Sequence, residues 1–217
     1  MIDFHTHSLI SDGYLLPSEL ARRARVLGYK AIAITDHADE SNLDTVIAHL
    51  AKAALALTRS ADIIVIPGVE LTHIPPGDIP GMVKKARSLG SKVVVGHGET
   101  LAEPVAPGTN SAFIRAKVDV LAHTGLVTKA EAGLAVKNSV YFEITARKGH
   151  SLSNGHVAKV AQSSGVKMLL NTDAHAPEDL ITVDTALKVA LGAGLTEKDF
   201  ARMEEDAREL VDKVSRR

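Results

Sequence analysis

Seven short runs rich in Val, Ile and Ala alternate along the chain with longer segments of helical periodicity, and each run ends in a charged or metal-capable residue. The runs are Ile2–His5, Ala31–Thr35, Ile63–Pro67, Lys92–Val95, Val118–Ala122, Val140–Glu143 and Lys167–Leu170. Apolar strands each followed by a helix indicate a parallel sheet covered by helices. The repeat of about 25 to 30 residues matches a βα unit. An open doubly wound sheet and a closed barrel both satisfy this pattern.

Helices are expected at Pro17–Leu27, Asn42–Arg59, Ile79–Leu89, Ser111–Ala116, Lys129–Lys137, Asn154–Ser163, Thr182–Ala190 and Glu197–Val214. Gly28, Gly90 and Gly165 stand where a left-handed C-cap is wanted. Thr196 with Asp199 forms a capping-box-like start for the last helix, whose apolar residues Phe200, Met203, Leu210 and Val214 are expected to dock on the sheet. Asn110 and Ser111 read as helix caps. No linker or repeat divides the chain, so residues 1–217 are read as a single domain.

The strand ends carry the chemistry. In order they deliver His5-Thr6-His7, Asp36-His37, Gly68-Val69-Glu70, Gly96-His97, His123, Glu143 and Asn171-Thr172-Asp173-Ala174-His175. In parallel βα architectures, sites form at the C-terminal ends of strands. His5 and His7 are two apart on an extended chain, so both imidazoles reach one face, and the same holds for Asp173 and His175. Imidazole and carboxylate without thiolate suit Mn, Zn or Fe rather than Ca. A carboxylate able to bridge suggests two or more ions, an arrangement that clamps the oxygens of a phosphoryl displacement. With no cysteine in 217 residues, thiolate ligands, disulfides and cysteine nucleophiles are excluded. The net charge of −1 shows no long basic surface for nucleic acid. The opening Met1-Ile2-Asp3-Phe4-His5 does not read as a signal peptide, and no apolar run is long enough to cross a membrane. A cytoplasmic protein is expected.

Taken together, Asp3-Phe4-His5-Thr6-His7-Ser8, Ser11-Asp12-Gly13, Thr35-Asp36-His37, Gly68-Val69-Glu70, His97, His123 and Thr172-Asp173-Ala174-His175 resemble the PHP (polymerase and histidinol phosphatase) superfamily. The resemblance implies a distorted (β/α)7 barrel with a C-terminal helix and three divalent ions. It places His5, His7, Glu70 and Asp173 on the first ion, Glu70, His97 and His123 on the second, and Asp12, His37 and His175 on the third. It implies a phosphoesterase acting on a small phosphomonoester by attack of a metal-activated hydroxide, with Glu70 and Asp173 essential. Asp36 is read as a carboxylate that supports the ligands without binding an ion.

Other residues have two readings. Arg147, after the sixth strand, suits bidentate phosphate binding, whereas Lys148 reads equally as a solvated charge. His73 lies in a Pro/Gly loop and could contact substrate or serve as an acid. His150, His156 and His49 read as structural or surface residues. Glu99 is either a support or exposed, and Asn171 and Thr172 are expected to orient the final ligand pair.

Three other activities compete with a small-ester phosphatase. One is a nucleotide or oligonucleotide phosphodiesterase or exonuclease, for which a basic, aromatic-lined groove is missing. A second is a metal-binding module without catalysis, which an incomplete ligand set would favour. The third is a C–N hydrolase of the amidohydrolase type, which the Asp12, Asp36-His37 and Glu70 set fits less well. Substrate, physiological metal and oligomeric state stay open at this level.

Overall fold

Side chains alternate across a β-strand, so residues two apart share a face. The computed structural model, which describes residues 1–60 and 62–216, shows how this alternation builds the site. The strands are β1 (Ile2–Asp3), β2 (Ala31–Ile34), β3 (His37–Ala38), β4 (Ile64–Leu71), β5 (Val93–His97), β6 (Val120–Ala122), β7 (Tyr141–Thr145) and β8 (Met168–Asn171). The helices are α1 (Pro17–Val26), α2 (Leu43–Ser60), α3 (Ile79–Ser88), α4 (Thr109–Ala116), α5 (Lys129–Asn138), α6 (Asn154–Ser164), α7 (Val183–Gly192) and α8 (Glu197–Ser215).

All strand pairs are parallel, in the order β1-β2-β4-β5-β6-β7-β8, with β3 also on β4. The seven-stranded path nearly closes. Asp173 N–H donates to His5 O at 2.9 Å, and His7 N–H donates to Ala174 O at 2.8 Å. Buried Asp3 reinforces the seam by accepting from the Thr172 hydroxyl at 2.6 Å. Phe4 N–H donates to the Asn171 side chain at 2.9 Å. The fold is thus the expected distorted (β/α)7 barrel.

Two strand boundaries differ most from expectation. The second strand breaks at Thr35-Asp36 and resumes as β3. The third does not stop at Pro67 but runs on to Leu71. Proline lacks an N–H, yet Pro67 O still accepts from Lys92 N at 2.9 Å, so the ladder continues through it. Gly68 makes the tight packing there possible: a Cβ at this position would lie 2.7 Å from Thr35 Cγ2 and 2.9 Å from Val93 O.

The inward face of each strand changes character along its length. Ile66, Gly68 and Glu70 share one face of β4, and Val93, Val95 and His97 share one face of β5. Tyr141 and Glu143 do so on β7, and Leu169 and Asn171 on β8. The lower halves form one apolar cluster with Ala207, Leu210, Val211 and Val214 of α8. The terminal helix therefore packs on its own barrel and closes the N-terminal end. Its Phe200 and Met203 join the larger core between the sheet and the outer helices. The Thr196–Asp199 capping box is present. Gly28, Gly90 and Gly165 all take positive φ after their helices. No helix among the described residues is long and apolar enough to cross a membrane.

Candidate metal centre

Glu70 lies at the middle of the polar end of the barrel, fully buried. Its Oε2 is 2.8 Å from His37 Nδ1, 3.3 Å from His5 Nε2 and 3.6 Å from His7 Nε2. Its Oε1 is 3.2 Å from His97 Nδ1 and 3.3 Å from His123 Nε2. On one flank, Asp173 Oδ1 lies 3.1 Å from His7 Nε2 and 3.6 Å from His5 Nε2. On the other, Asp12 Oδ2 lies 3.3 Å from His175 Nε2 and 3.6 Å from His37 Nε2. The His7 ring stacks between those of His37 and His175, with centroids 4.2 and 4.1 Å away. All nine residues singled out as ligands converge.

Their groupings overlap more than three separate sets would. His7, Asp12, His37 and His175 bring ligand atoms within 4.8 Å of one another, as do His5 with His7 and Glu70, and His5 with His123 and Asp173. His37 also joins Glu70 and His97. Two of the nine, His123 at φ 27° and Asp173 at φ 52°, hold left-handed backbone that non-glycine residues avoid. Such strain costs on the order of 1–3 kcal/mol and persists where the surroundings impose it.

The PHP domain family matches residues 3–215. The chain belongs to this family. An uncharacterised protein of Methanocaldococcus jannaschii is 55% identical over 200 residues, covering 91% of this chain and 92% of the relative. A probable phosphatase of Thermoanaerobacter is 26% identical over 221 residues, covering 91% and 88%. Among solved structures, a chain of archaeal ribonuclease P with mature tRNA superposes with TM-score 0.75 at 18% identity, covering 99% of this chain and 91% of that one. The metal-dependent tyrosine phosphatases YwqE of Bacillus subtilis and CpsB of Streptococcus pneumoniae give 0.67 at 19% identity, covering 98% and 95%. These structural likenesses concern the fold.

The clustered side chains could hold divalent ions on their own chemistry. His5 Nε2, both ring nitrogens of His7, His123 Nδ1 and Glu70 Oε2 are buried without a hydrogen-bond partner. Buried polar atoms without partners are costly unless something binds them. Burial opposes every charge here. For Glu70, the imidazoles of His5, His37 and His97 outweigh burial and hold the carboxyl well below its ordinary value. For Asp173 burial wins and pushes it up. Burial and the neighbouring His37 and His5 rings hold His7 well below, favouring the neutral, ligand-competent imidazole.

A supporting layer orients the ligands. Glu143 Oε2 is 2.7 Å from His5 Nδ1 and accepts from Asn171 Nδ2 at 3.0 Å, while its Oε1 accepts from His123 N–H at 3.2 Å. Asp36 binds no ligand imidazole. It accepts from the N–H and hydroxyl of both Ser8 and Ser11, holding the turn that carries Asp12.

Arg147 is half-buried, and its guanidinium donates to the Asp179 carboxylate. Lys148 is exposed. His150 is buried, and its ring stacks on that of His123 with centroids 4.2 Å apart. His156 Nε2 pairs with Val127 O, away from the centre. Glu99 and Asn110 differ from expectation. Glu99 caps the start of α4, accepting from Gly108 and Asn110 N–H, while the Asn110 side chain ties Glu99 N to Thr124 O. Glu103, in the loop before α4, was not signalled by the sequence. It faces His73, His97 and His150. A cavity of about 620 Å³ adjoins this edge at His73, lined also by Asp39, Ile74, Pro75, Met82 and Lys85.

Proposed function

We propose that this PHP protein is a metal-dependent phosphatase that hydrolyses a small phosphomonoester. The observation that carries the reading is Glu70, one buried carboxylate whose two oxygens face five imidazoles from four strand ends. That is the arrangement expected of a bridging ligand. The names of the Thermoanaerobacter relative and of the two tyrosine phosphatases support the same reaction class.

His5, His7, Glu70 and Asp173 would hold one ion, Glu70 with His97 and His123 would hold a second, and Asp12, His37 and His175 would hold a third. Manganese, zinc and iron all suit these donors. Ions held there would acidify water and neutralise charge on the phosphoryl oxygens. Asp173 and Glu70 set the negative charge that attracts them. Glu143 fixes the ring of His5, and Asp36 fixes the Asp12 turn. Arg147 keeps guanidinium donors beyond the one bonded to Asp179 and grips phosphate oxygens. The cavity beside His73 receives the leaving alcohol.

The test is phosphate release by manganese-loaded protein across one panel. It holds L-histidinol phosphate, phosphotyrosine, nucleoside monophosphates, 3′,5′-bisphosphates and a short oligonucleotide, with Glu70→Ala and Asp173→Ala as controls. Selective, chelator-sensitive release from a small ester, lost in both variants, is the expected result. Release only from nucleotides or oligonucleotide ends would replace the reading with a nuclease or phosphodiesterase. Wild-type rates in either variant would move the reaction away from this centre.

A further inference from the structure

Glu143 braces His5 from outside the cluster: it faces Nδ1 at 2.7 Å, while Nε2 looks to Glu70 at 3.3 Å. Glu103 stands in the corresponding relation to His97, with the two ring nitrogens exchanged. His97 Nδ1 lies 3.2 Å from Glu70 Oε1, on the side of the central cluster. Its Nε2 lies 3.1 Å from Glu103 Oε2, buried and with no aligned hydrogen-bond partner.

We propose that Glu103 is a positioning residue of the metal centre. It holds the outer nitrogen of His97, so that the inner nitrogen is turned toward Glu70 and stays free to bind an ion. His97 thereby remains a ligand alongside Glu70 and His123. An imidazole that gives one nitrogen to a metal carries its proton on the other. That N–H is commonly donated to a carboxylate, which fixes the ring direction and the tautomer. A buried ring N–H without an acceptor is costly, and Glu103 Oε2 is in reach to relieve it.

Two observations set Glu103 apart from a solvated loop charge. The first is that its loop is fastened. Glu99 accepts from Gly108 and Asn110 N–H, Ala102 N–H donates to the Thr100 hydroxyl at 3.2 Å, and Val105 N–H donates to Glu103 O at 3.0 Å. The second is that both carboxylate oxygens face imidazoles. Oε1 lies 3.3 Å from His150 Nε2, and Oε2 lies 3.4 Å from His73 Nε2 as well as near His97. The Thr100 hydroxyl is 2.6 Å from His150 Nδ1. With the hydroxyl proton given to Nδ1, His150 carries its own proton on Nε2, facing Glu103. The His150 ring in turn stacks on that of His123. One carboxylate thus gathers the imidazoles along this edge of the centre. The role rests on His97 being a ligand and holds whichever ester is cleaved.

The experiment measures zinc affinity by competition with a chromogenic chelator for the wild type, Glu103→Gln and Asp173→Ala, with folding checked by circular dichroism. Glu103→Gln keeps the size and one oxygen acceptor on a half-exposed loop side chain, and it removes the charge. A second readout is nitrogen-15 NMR of the histidine-labelled, zinc-loaded protein, with the His97 signals assigned from a His97→Asn spectrum. Zinc affinity is expected to fall about 10- to 100-fold in Glu103→Gln. Wild-type His97 is expected to carry its ring proton on Nε2, with a signal that moves upfield in Glu103→Gln. Wild-type affinity in Glu103→Gln overturns the proposal, as does a His97 ring protonated on Nδ1 or an Nε2 proton signal that does not move. Unchanged affinity in Asp173→Ala beside a loss in Glu103→Gln would overturn the part given to Asp173 and leave Glu103 at His97. A wild-type chain that takes up no zinc overturns both.

Discussion

Arg147 Nη1 donates to Asp179 Oδ2 at 2.9 Å, and the same oxygen accepts the backbone N–H groups of His175 at 3.0 Å and Ala176 at 2.9 Å. One carboxylate therefore ties the guanidinium to the stretch of chain that carries the last ligand. Losing a charge-assisted hydrogen bond costs about 1.5–3 kcal/mol, or roughly 10- to 100-fold in binding. Arg147→Ala is expected to raise KM by that order and to weaken inhibition by inorganic phosphate. Asp179→Asn should show a smaller rise, because the guanidinium remains. Steady-state kinetics on the best ester decide the matter, and unchanged constants in Arg147→Ala would remove its phosphate role.

Glu143 holds His5 from behind, its Oε2 lying 2.7 Å from His5 Nδ1. Partners of this kind are worth roughly 10- to 100-fold in metal affinity. Glu143→Gln keeps the side-chain size but offers an amide where His5 Nδ1 has a carboxylate. Metal affinity measured by competition with a chromogenic chelator should fall by that factor, with circular dichroism unchanged. Equal affinity would show that His5 needs no such support.

The metal-free protein should carry a pH signature at the outer edge. Burial works against protonating His97, but the Glu70 and Glu103 carboxylates outweigh it and raise the imidazole from 6.5 to about 9. The adjacent His97 lowers Glu103 from 4.5 to about 2. A raised imidazole stabilises fully below its unfolded value and loses this as pH rises through the folded value. A lowered carboxyl stabilises above its unfolded value and loses this as pH falls through the folded one. The interaction is thus complete between about pH 4.5 and 6.5. In chelator, the Tm gap between wild type and Glu103→Gln should be widest near pH 5.5 and shrink toward pH 10. A constant gap would contradict this pairing.

Leu210 of α8 is fully buried against the barrel interior. Leu210→Ala should cost about 2–5 kcal/mol, because it removes packing at the closed end and leaves a cavity. Urea unfolding measures this. Ligand geometry lies at the other end of the barrel, so metal affinity at low denaturant should hold. A stability change under 1 kcal/mol, smaller than the usual cost of such a cavity, would mean that α8 does not close the barrel.

Much of the fold was legible because a buried parallel strand needs a continuous apolar run and a βα unit has a fixed length. Eight of the nine candidate ligand positions were legible because each is a metal-capable residue at or just past a strand end, whereas Asp12 lies farther along the chain and came from the family resemblance alone. The strand break at Thr35-Asp36 and the passage through Pro67 were not, since pairing partners rather than local pattern set where a strand stops. The Glu99 and Asn110 contacts escaped for a similar reason, because both bridge loops that neighbour each other only in the closed barrel.

By itself, then, the sequence determined a parallel βα layout, the polar ends of its strands and the chemical type of the residues gathered there, while local periodicity allowed an open sheet as well as a barrel. Tertiary structure alone decided which side chains meet across the mouth. His5 and Glu143 are 138 residues apart in the chain and 2.7 Å apart in space. Glu103 reaches His97 from a loop with no motif of its own. The direction of the His97 ring, inward by Nδ1 and outward by Nε2, is likewise set by the carboxylates that barrel closure places on either side of it.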